Sequence, residues 1–581
     1  MYDLVIRAGT VVDGTGAAPH TADVAVTNGV IVEVGRVDGP ARRTVDADGL
    51  LVTPGFVDVH THFDGQATWD PHLTPSCWHG VTTAVMGNCG VGFAPVDPGR
   101  HQALIDLMEG VEDIPGSALA EGIRWDWESF PEYLDALDRS PHAIDIGTHV
   151  PHAAVRSYVM ADRALEDATA SDLAAMAVIV RDGIAAGALG FSTGRTAGHR
   201  DIHGQPVPGT FAPREELRAL MNAVVAGGGG VVQVVPAGVG GVITGDAADA
   251  MDNEVDMITE VGLATGLPVT FLVMQQNGED VDGWRPWFAA VHEANGRGAN
   301  IRPQVGDRCF GVLMGHQSRL NPFRHRPSYQ AIAERPLAER VRALRDPGLK
   351  ATILAEHADR SGPFAMDRFG PAGFANLYPL GDALDYEPES TNSVAALAAR
   401  SGRDVWDVAY DVLLDNDGRE LLLLPLLNYG GGSYDGLLEM MRDPISLNGL
   451  GDGGAHVGLV CDASMTTYML THWARDRSRG ERFSIAEAVR RLTSDPASFY
   501  GLADRGVIAP GAKADLNLID FDRLRLLPPE QVHDLPAGAG RLVQRADGYV
   551  STIVSGEEVV AGSELTDARP GGLVRRQSSA S

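Results

Sequence analysis

Two hydrophobic patterns divide the chain. Within residues 1–53, DLVIRAGTVV and ADVAVTNGVIVEVG are strand-like runs, and Asn28-Gly29 is a two-residue hairpin signal because both positions accept positive φ. KADLNLID and GYVSTIVSGEEVV near the other end have the same texture. The two ends are expected to pair into one small β domain, a sandwich. Between them, short apolar runs alternate with helical spacing. The runs are GFVDVH (55–60), VTTAVMG (81–87), AIDIGTH (143–149), ALGFST (188–193), GVVQVV (230–235), LPVTFLV (267–273), ELLLLPLLN (420–428) and SLNGLG (446–451). Ser171–Ala185 and Arg214–Ala226 have helical periodicity. Eight alternating units predict an α/β fold, a (β/α)8 TIM barrel, with a β-sandwich domain built from both termini. The expected boundaries are 1–53 for the first part of the β domain, 54–505 for the barrel and 506–581 for the rest. An insertion at about 284–419 is expected to cap the barrel mouth.

Length and charge narrow this picture. A chain of 581 residues exceeds one compact core, whereas an elaborated barrel plus a smaller domain accommodates it. With 47 Lys+Arg against 77 Asp+Glu the net charge is −30. That sign disfavours phosphate backbones and anionic lipid surfaces, so neither nucleic acid nor membrane is an expected partner. Cys77, Cys89, Cys309 and Cys461 are too few and scattered for a disulfide framework. The start, MYDLVIRAGTVVDG, lacks the pattern of a secretory leader, and the simplest expected compartment is the cytoplasm. A homo-oligomer remains open.

The sharpest chemical motif is His60-Thr61-His62 at the end of an apolar run. Period-two geometry sends both imidazoles to one face, where they can converge on a cation. In a barrel, groups at the C-terminal ends of strands gather at the active site.

TPGFVDVHTHFD (53–64) resembles the first-strand signature of the amidohydrolase superfamily. GVTTAVMGNCGVGFAP (80–95) and GALGFSTG (187–194) are similar to segments of the N-acyl-D-amino-acid deacylase family, and residues 493–520 resemble the superfamily's closing helix and return to the β domain. The resemblance implies that Cys89 is a metal ligand, and a thiolate between Asn88 and Gly90 suits Zn²⁺. It also implies that Asp452, in GLGDGGAHVG (449–458), binds metal and shuttles protons. His152 with Arg156 matches the family's third-strand pattern.

The chain departs from that family on two strands. Where histidines are expected, the fifth offers Gln233, Val234 and Val235, and the sixth offers Met274, Gln275 and Gln276. The lysine and arginine beside those histidines are absent too, which marks a divergent branch. His60, His62, Cys89 and Asp452 remain as a first shell for one tightly bound Zn²⁺. Asp452 would take a proton from the attacking water and return it to the leaving nitrogen of a small-molecule amide. Candidate substrate-binding groups are Arg308, His149, His152, Gln233, Tyr429, Tyr434 and His456, with Arg308 the preferred carboxylate partner. The leading expectation is hydrolysis of an N-acyl (D-)amino acid or related amide. Cyclic-amide or urea hydrolysis, another C–N or C–C cleavage, and an inactive barrel used for binding are the alternatives.

Overall fold

The computed structural model describes residues 1–239, 247–278, 280–356 and 370–576; part of the expected insertion and the last five residues of the expected C-terminal unit lie outside them. Its centre is a curled sheet of eight parallel strands: Phe56–Asp58, Val81–Met86, Asp145–Pro151, Gly190–Gly194, Val231–Val235, Pro268–Leu272, Asn300–Val305 and Leu447–Asn448. Helices fall between them, among them Ala170–Ala185, Arg214–Ala226 and Arg285–Gly296. The second to sixth strands are almost wholly buried, as parallel strands covered by helices must be.

The seventh strand corrects the sequence reading. It is Asn300–Val305, which pairs with Pro268–Leu272 on one side and Leu447–Asn448 on the other. The expected strand at 420–428 lies elsewhere. Leu421–Leu427 is the middle of a three-stranded antiparallel sheet, between Phe310–Gly315 and Tyr378–Pro379. An unbroken leucine run satisfies any buried central strand, parallel or antiparallel, so its composition could not tell one sheet from the other. NIRPQV, with its Asn, Arg, Pro and Gln, concealed a true barrel strand because one of its polar side chains, Gln304, is fully buried while Asn300 is exposed. The inserted segment therefore lies between residues 306 and 446, not 284–419, and Arg285–Gly296 belongs to the barrel. The insertion has its own core, which includes Val312, Phe323, Tyr329, Leu344, Tyr410 and Leu422.

Strands from both ends of the chain are hydrogen-bonded into one mixed nine-stranded sheet. Tyr2–Val11 lies at its centre. Leu51–Pro54 joins the N-terminal strands to Leu516–Ile519, residue 52 facing residue 518. His20–Thr27 and Val30–Gly35 form the expected hairpin, with Asn28 at φ 51° and Gly29 at φ 73°. Leu4, Ile6, Val24, Val52, Leu516 and Ile553 share one apolar cluster, so burial as well as the ladder ties the two ends together. Beyond this sheet, residues 571–576 run along the third barrel strand. Ile146 donates to Gly572 O at 3.0 Å, and Val574 donates to Ile146 O at 2.7 Å.

A buried charge cluster ties barrel, sheet and tail. Asp145, at the start of the third strand, accepts from Lys513 Nζ at 2.6 Å, from Arg505, and from the backbone N–H of Gly572 at 3.0 Å. Removing the carboxylate would leave Arg505 to Asp504 and Lys513 to Asp515 alone and take away their shared acceptor, a loss of about 1.5–3 kcal/mol for hydrogen bonds to charged groups. Asp145→Ala is expected to lower the thermal midpoint clearly; denaturation of the two proteins under one buffer condition checks it, and an unchanged midpoint would refute the linkage.

His79 provides a pH test of the same packing. Its ring bonds Thr467 Oγ1 at 2.9 Å and the carbonyl of Gln544 at 2.8 Å, and burial depresses its pKa to about 4. The folded pKa is below the unfolded value, so the stability from a neutral His79 is present above about pH 6.5 and is lost as pH falls toward 4. In that window the slope is about 1.4 kcal/mol per pH unit for one group. His79→Gln should flatten the acid limb of a stability–pH curve by that amount, and an unaltered limb would contradict it.

Candidate metal centre

The two edges of the eight-stranded sheet meet just beyond their strands. Asp452 donates its backbone N–H to His60 O at 3.0 Å, and His62 donates to Gly453 O at 2.7 Å. The glycines of GLGDGG make this approach fit. A Cβ at Gly451 would collide with the Asp58 carboxylate, and one at Gly449 would lie 2.9 Å from Cγ of Gln304. Cys89, Asp452 and His456 all have left-handed backbones, at φ 57°, 45° and 48°. Non-glycine residues rarely adopt this region, and such strain is typical of functional loops whose surroundings hold them in place.

The seam brings the expected ligands together. His60, His62 and Cys89 offer donor atoms that all lie within 4.8 Å of one another. Cys89 Sγ is 3.3 Å from His60 Nε2 and 3.7 Å from His62 Nε2. Asp452 Oδ1 is 3.4 and 3.8 Å from the same two nitrogens. Both imidazoles thus turn Nε2 toward the thiol and the carboxyl, and all four side chains are buried.

The electrostatics of this cluster call for a cation. Burial lowers the His60 pKa to about 4 and that of His62 well below its usual value, so both rings are neutral and available as ligands. Burial, reinforced by Glu112, Asp452 and Asp64, drives the Cys89 thiol well up. Asp452 is pushed well above the carboxylate range by burial and then by Asp462, Glu112 and Asp58. Glu112 itself is raised to about 8 by burial and Asp64. No lysine or arginine is among the groups that perturb Cys89 or Asp452. Two neutral nitrogens, a thiol and a carboxyl, without a fixed positive charge, fit a divalent metal, which compensates the thiolate and carboxylate together.

The other predicted residues divide into two groups. Gln233 accepts the Cys89 backbone N–H on Oε1 at 2.9 Å, and its Nε2 is buried without a partner. His149 is buried with both ring nitrogens unpartnered, and its charge state is coupled to His60. His456 Nε2 lies 3.6 Å from Glu112 Oε2. These three accompany the cluster. His152 does not: it is spent on Thr193 Oγ1 and Glu216, each at 2.9 Å, and Arg156 joins the same glutamate. The Tyr429 hydroxyl is engaged by the Pro388 carbonyl and Arg479, and that of Tyr434 by the Tyr386 carbonyl and the Cys309 N–H. Arg308 is fully buried, with Nη2 on Asp462 Oδ1 at 3.0 Å and on Cys461 O at 2.8 Å, and its guanidinium lies over the Tyr386 ring. Its Nε and Nη1 have no hydrogen-bond partner. Gln275, on the expected sixth-strand segment, is held by Gly430 N–H and the Val281 carbonyl.

Sequence reasoning missed Gln304, Glu112 and His199. Gln304 was hidden with its strand. Glu112 closes helix His101–Glu112 on the face that buries Leu104, Met108 and Val111. An acid on an apolar face was the legible signal. His199, in the segment after the fourth strand, is coupled electrostatically to His60, His62 and His456, and nothing in its sequence context distinguished it.

An N-acyl-D-aspartate deacylase of Alcaligenes xylosoxydans xylosoxydans is 26% identical over 98% of this chain and 94% of its own length. The crystal structure of N-acyl-D-glutamate deacylase from Bordetella bronchiseptica, complexed with zinc and a phosphonate inhibitor, is 24% identical with a TM-score of 0.64, covering 99% of this chain and 100% of the other. A D-aminoacylase structure, described as having a binuclear metal centre with one-metal activation and second-metal attenuation, is 22% identical with a TM-score of 0.65 over the same shares. At these identities the two structures establish the fold. The profile of the amidohydrolase family matches residues 43–560, which span His60, His62, Cys89, Gln304 and Asp452, and the chain belongs to that family.

Proposed function

We propose that this protein hydrolyses the amide C–N bond of an N-acyl amino acid, with preference for the D series, using one zinc ion in a closed (β/α)8 barrel flanked by a β-sandwich domain. The observation that carries the reading is the convergence of His60 Nε2, His62 Nε2 and Cys89 Sγ on one buried point, with Asp452 Oδ1 at 3.4 and 3.8 Å from the two imidazoles. Its family membership and the deacylase named above support the substrate class.

His60, His62, Cys89 and Asp452 would hold the ion. Zinc bound there supplies Lewis acidity for a nucleophilic water and for the scissile carbonyl. Asp452 would take the proton of the attacking water and deliver it to the departing nitrogen. Gln233 is locked by the Cys89 N–H, which leaves its Nε2 protons to stabilise the developing oxyanion. His456 and His149 contact substrate oxygens at the barrel mouth. His152, Tyr429 and Tyr434 shape the walls through the packing described above. Arg308 Nε and Nη1, which lack hydrogen-bond partners, offer charged donors to the substrate carboxylate.

One ion is the expected stoichiometry. The fifth strand supplies Gln233, a neutral amide already engaged with Cys89, and the sixth-strand Gln275 is committed to Gly430 and Val281. Neither replaces an imidazole on zinc. Elemental analysis beside zinc titration of apo-enzyme should show full activity at one equivalent, measured on N-acyl-D-amino acids against their L counterparts. Asp452→Asn should retain part of the metal and lose about 10²–10⁴-fold in kcat. Two tightly held equivalents, both required for turnover, would overturn the one-ion reading and point to His149 as an added ligand.

For Arg308→Ala, KM for a carboxylate-bearing substrate should rise about 10–100-fold, the loss of a charge-assisted bond. An unchanged KM in a variant of native thermal midpoint removes Arg308 from substrate recognition.

A further inference from the structure

The seventh barrel strand carries a side chain that no part of the proposed hydrolysis uses. Gln304 is fully buried, and its Oε1 lies 2.7 Å from His60 Nδ1. Its strand is in register on both sides, with Leu272 and with Leu447. Its backbone carbonyl accepts from Val273 N–H at 3.1 Å, and Gly449 leaves only the room its Cγ needs. The carboxamide is therefore fixed by a rigid element rather than by a loop.

A carboxamide oxygen only accepts, so an imidazole bonded to it must have its proton on Nδ1. The Nε2 lone pair of His60 then faces Cys89 Sγ at 3.3 Å and Asp452 Oδ1 at 3.4 Å. The other tautomer would turn an N–H toward the point where the ligands converge and remove one donor from the set. His62 has no equivalent anchor. Its Nδ1 is 3.4 Å from Glu112 Oε1, and neither atom is hydrogen-bonded. The two histidines of one motif are thus supported unequally.

We infer that Gln304 is a positioning residue that sets the tautomer and ring orientation of His60 for metal binding. The inference rests on the proposed metal centre, and zinc binding by the wild-type protein tests that reading separately. Partners that orient a ligating histidine typically contribute 10–100-fold to metal affinity. The variants are Gln304→Met, which keeps side-chain volume and removes the acceptor, and Gln304→Glu, which keeps an acceptor oxygen. Zinc affinity is measured on each apo-protein by competition with a chromophoric chelator, and the absorption spectrum of the cobalt(II)-substituted protein reports ligand geometry.

Gln304→Met should bind zinc about 10–100-fold more weakly with an altered cobalt spectrum. Gln304→Glu should stay within about threefold of wild type with a native spectrum, the signature of a retained acceptor. Wild-type affinity and spectrum in Gln304→Met would overturn the inference, as would equal loss in both variants. Should Gln304→Met fail to fold, Gln304→Glu decides alone: retained affinity and spectrum support the role, and their loss refutes it. A wild-type protein that binds no zinc would instead defeat the metal reading itself.

Discussion

Two backbone hydrogen bonds, Asp452 N–H to His60 O and His62 N–H to Gly453 O, set the distance on which the rest of the site depends. They hold the last strand's extension against the first, so residues almost four hundred positions apart in sequence share one buried point. Without them, Asp452 would have no reason to lie beside two imidazoles. The small residues around the seam are spatial requirements: side chains at 449 and 451 would push Gln304 and Asp58 out of place. Strained backbones at Cys89, Asp452 and His456 are tolerated because the barrel around them is closely packed.

The chemistry follows from what this packing excludes. Acidic groups and imidazoles are crowded together out of water, and among the described residues the charges that act on Cys89 are carboxylates. Each carboxyl raises its neighbours' pKa, and each imidazole stays neutral. An apolar replacement of the whole set would be easier to fold around. Keeping it makes physical sense where a doubly charged ion completes the set, because thiolate, carboxylate and metal then neutralise one another and their mutual repulsion becomes attraction.

The sequence disclosed those features whose physics is local. An apolar run ending in His-x-His and Asn-Gly between alternating strands each carry their meaning within a dozen residues; the structure forms the hairpin and brings His60 and His62 close to Cys89, which the family resemblance had marked. The failures were nonlocal. A barrel strand that turns Gln304 inward looks like a loop because that glutamine answers to His60, far away in sequence. Leu421–Leu427 looks like a barrel strand because hydrophobicity reports burial and not the identity of the covering layer. Glu112 showed only as an acid on an apolar helix face, and its place beside His62 and His456 depended on where helix His101–Glu112 packs.

The pairing of Leu51–Pro54 with Leu516–Ile519 has a consequence for the order of assembly. As the chain leaves the ribosome, the N-terminal strands emerge first, yet one flank of their sheet stays open until more than four hundred further residues have been made. Throughout that interval an unpaired strand edge and the apolar face of Val52 are exposed, a combination that recruits other strands. The large sequence separation also slows closure of the contact itself. Expression yield should therefore be governed less by final stability than by how well a half-made chain is shielded while its sheet waits for its last partner.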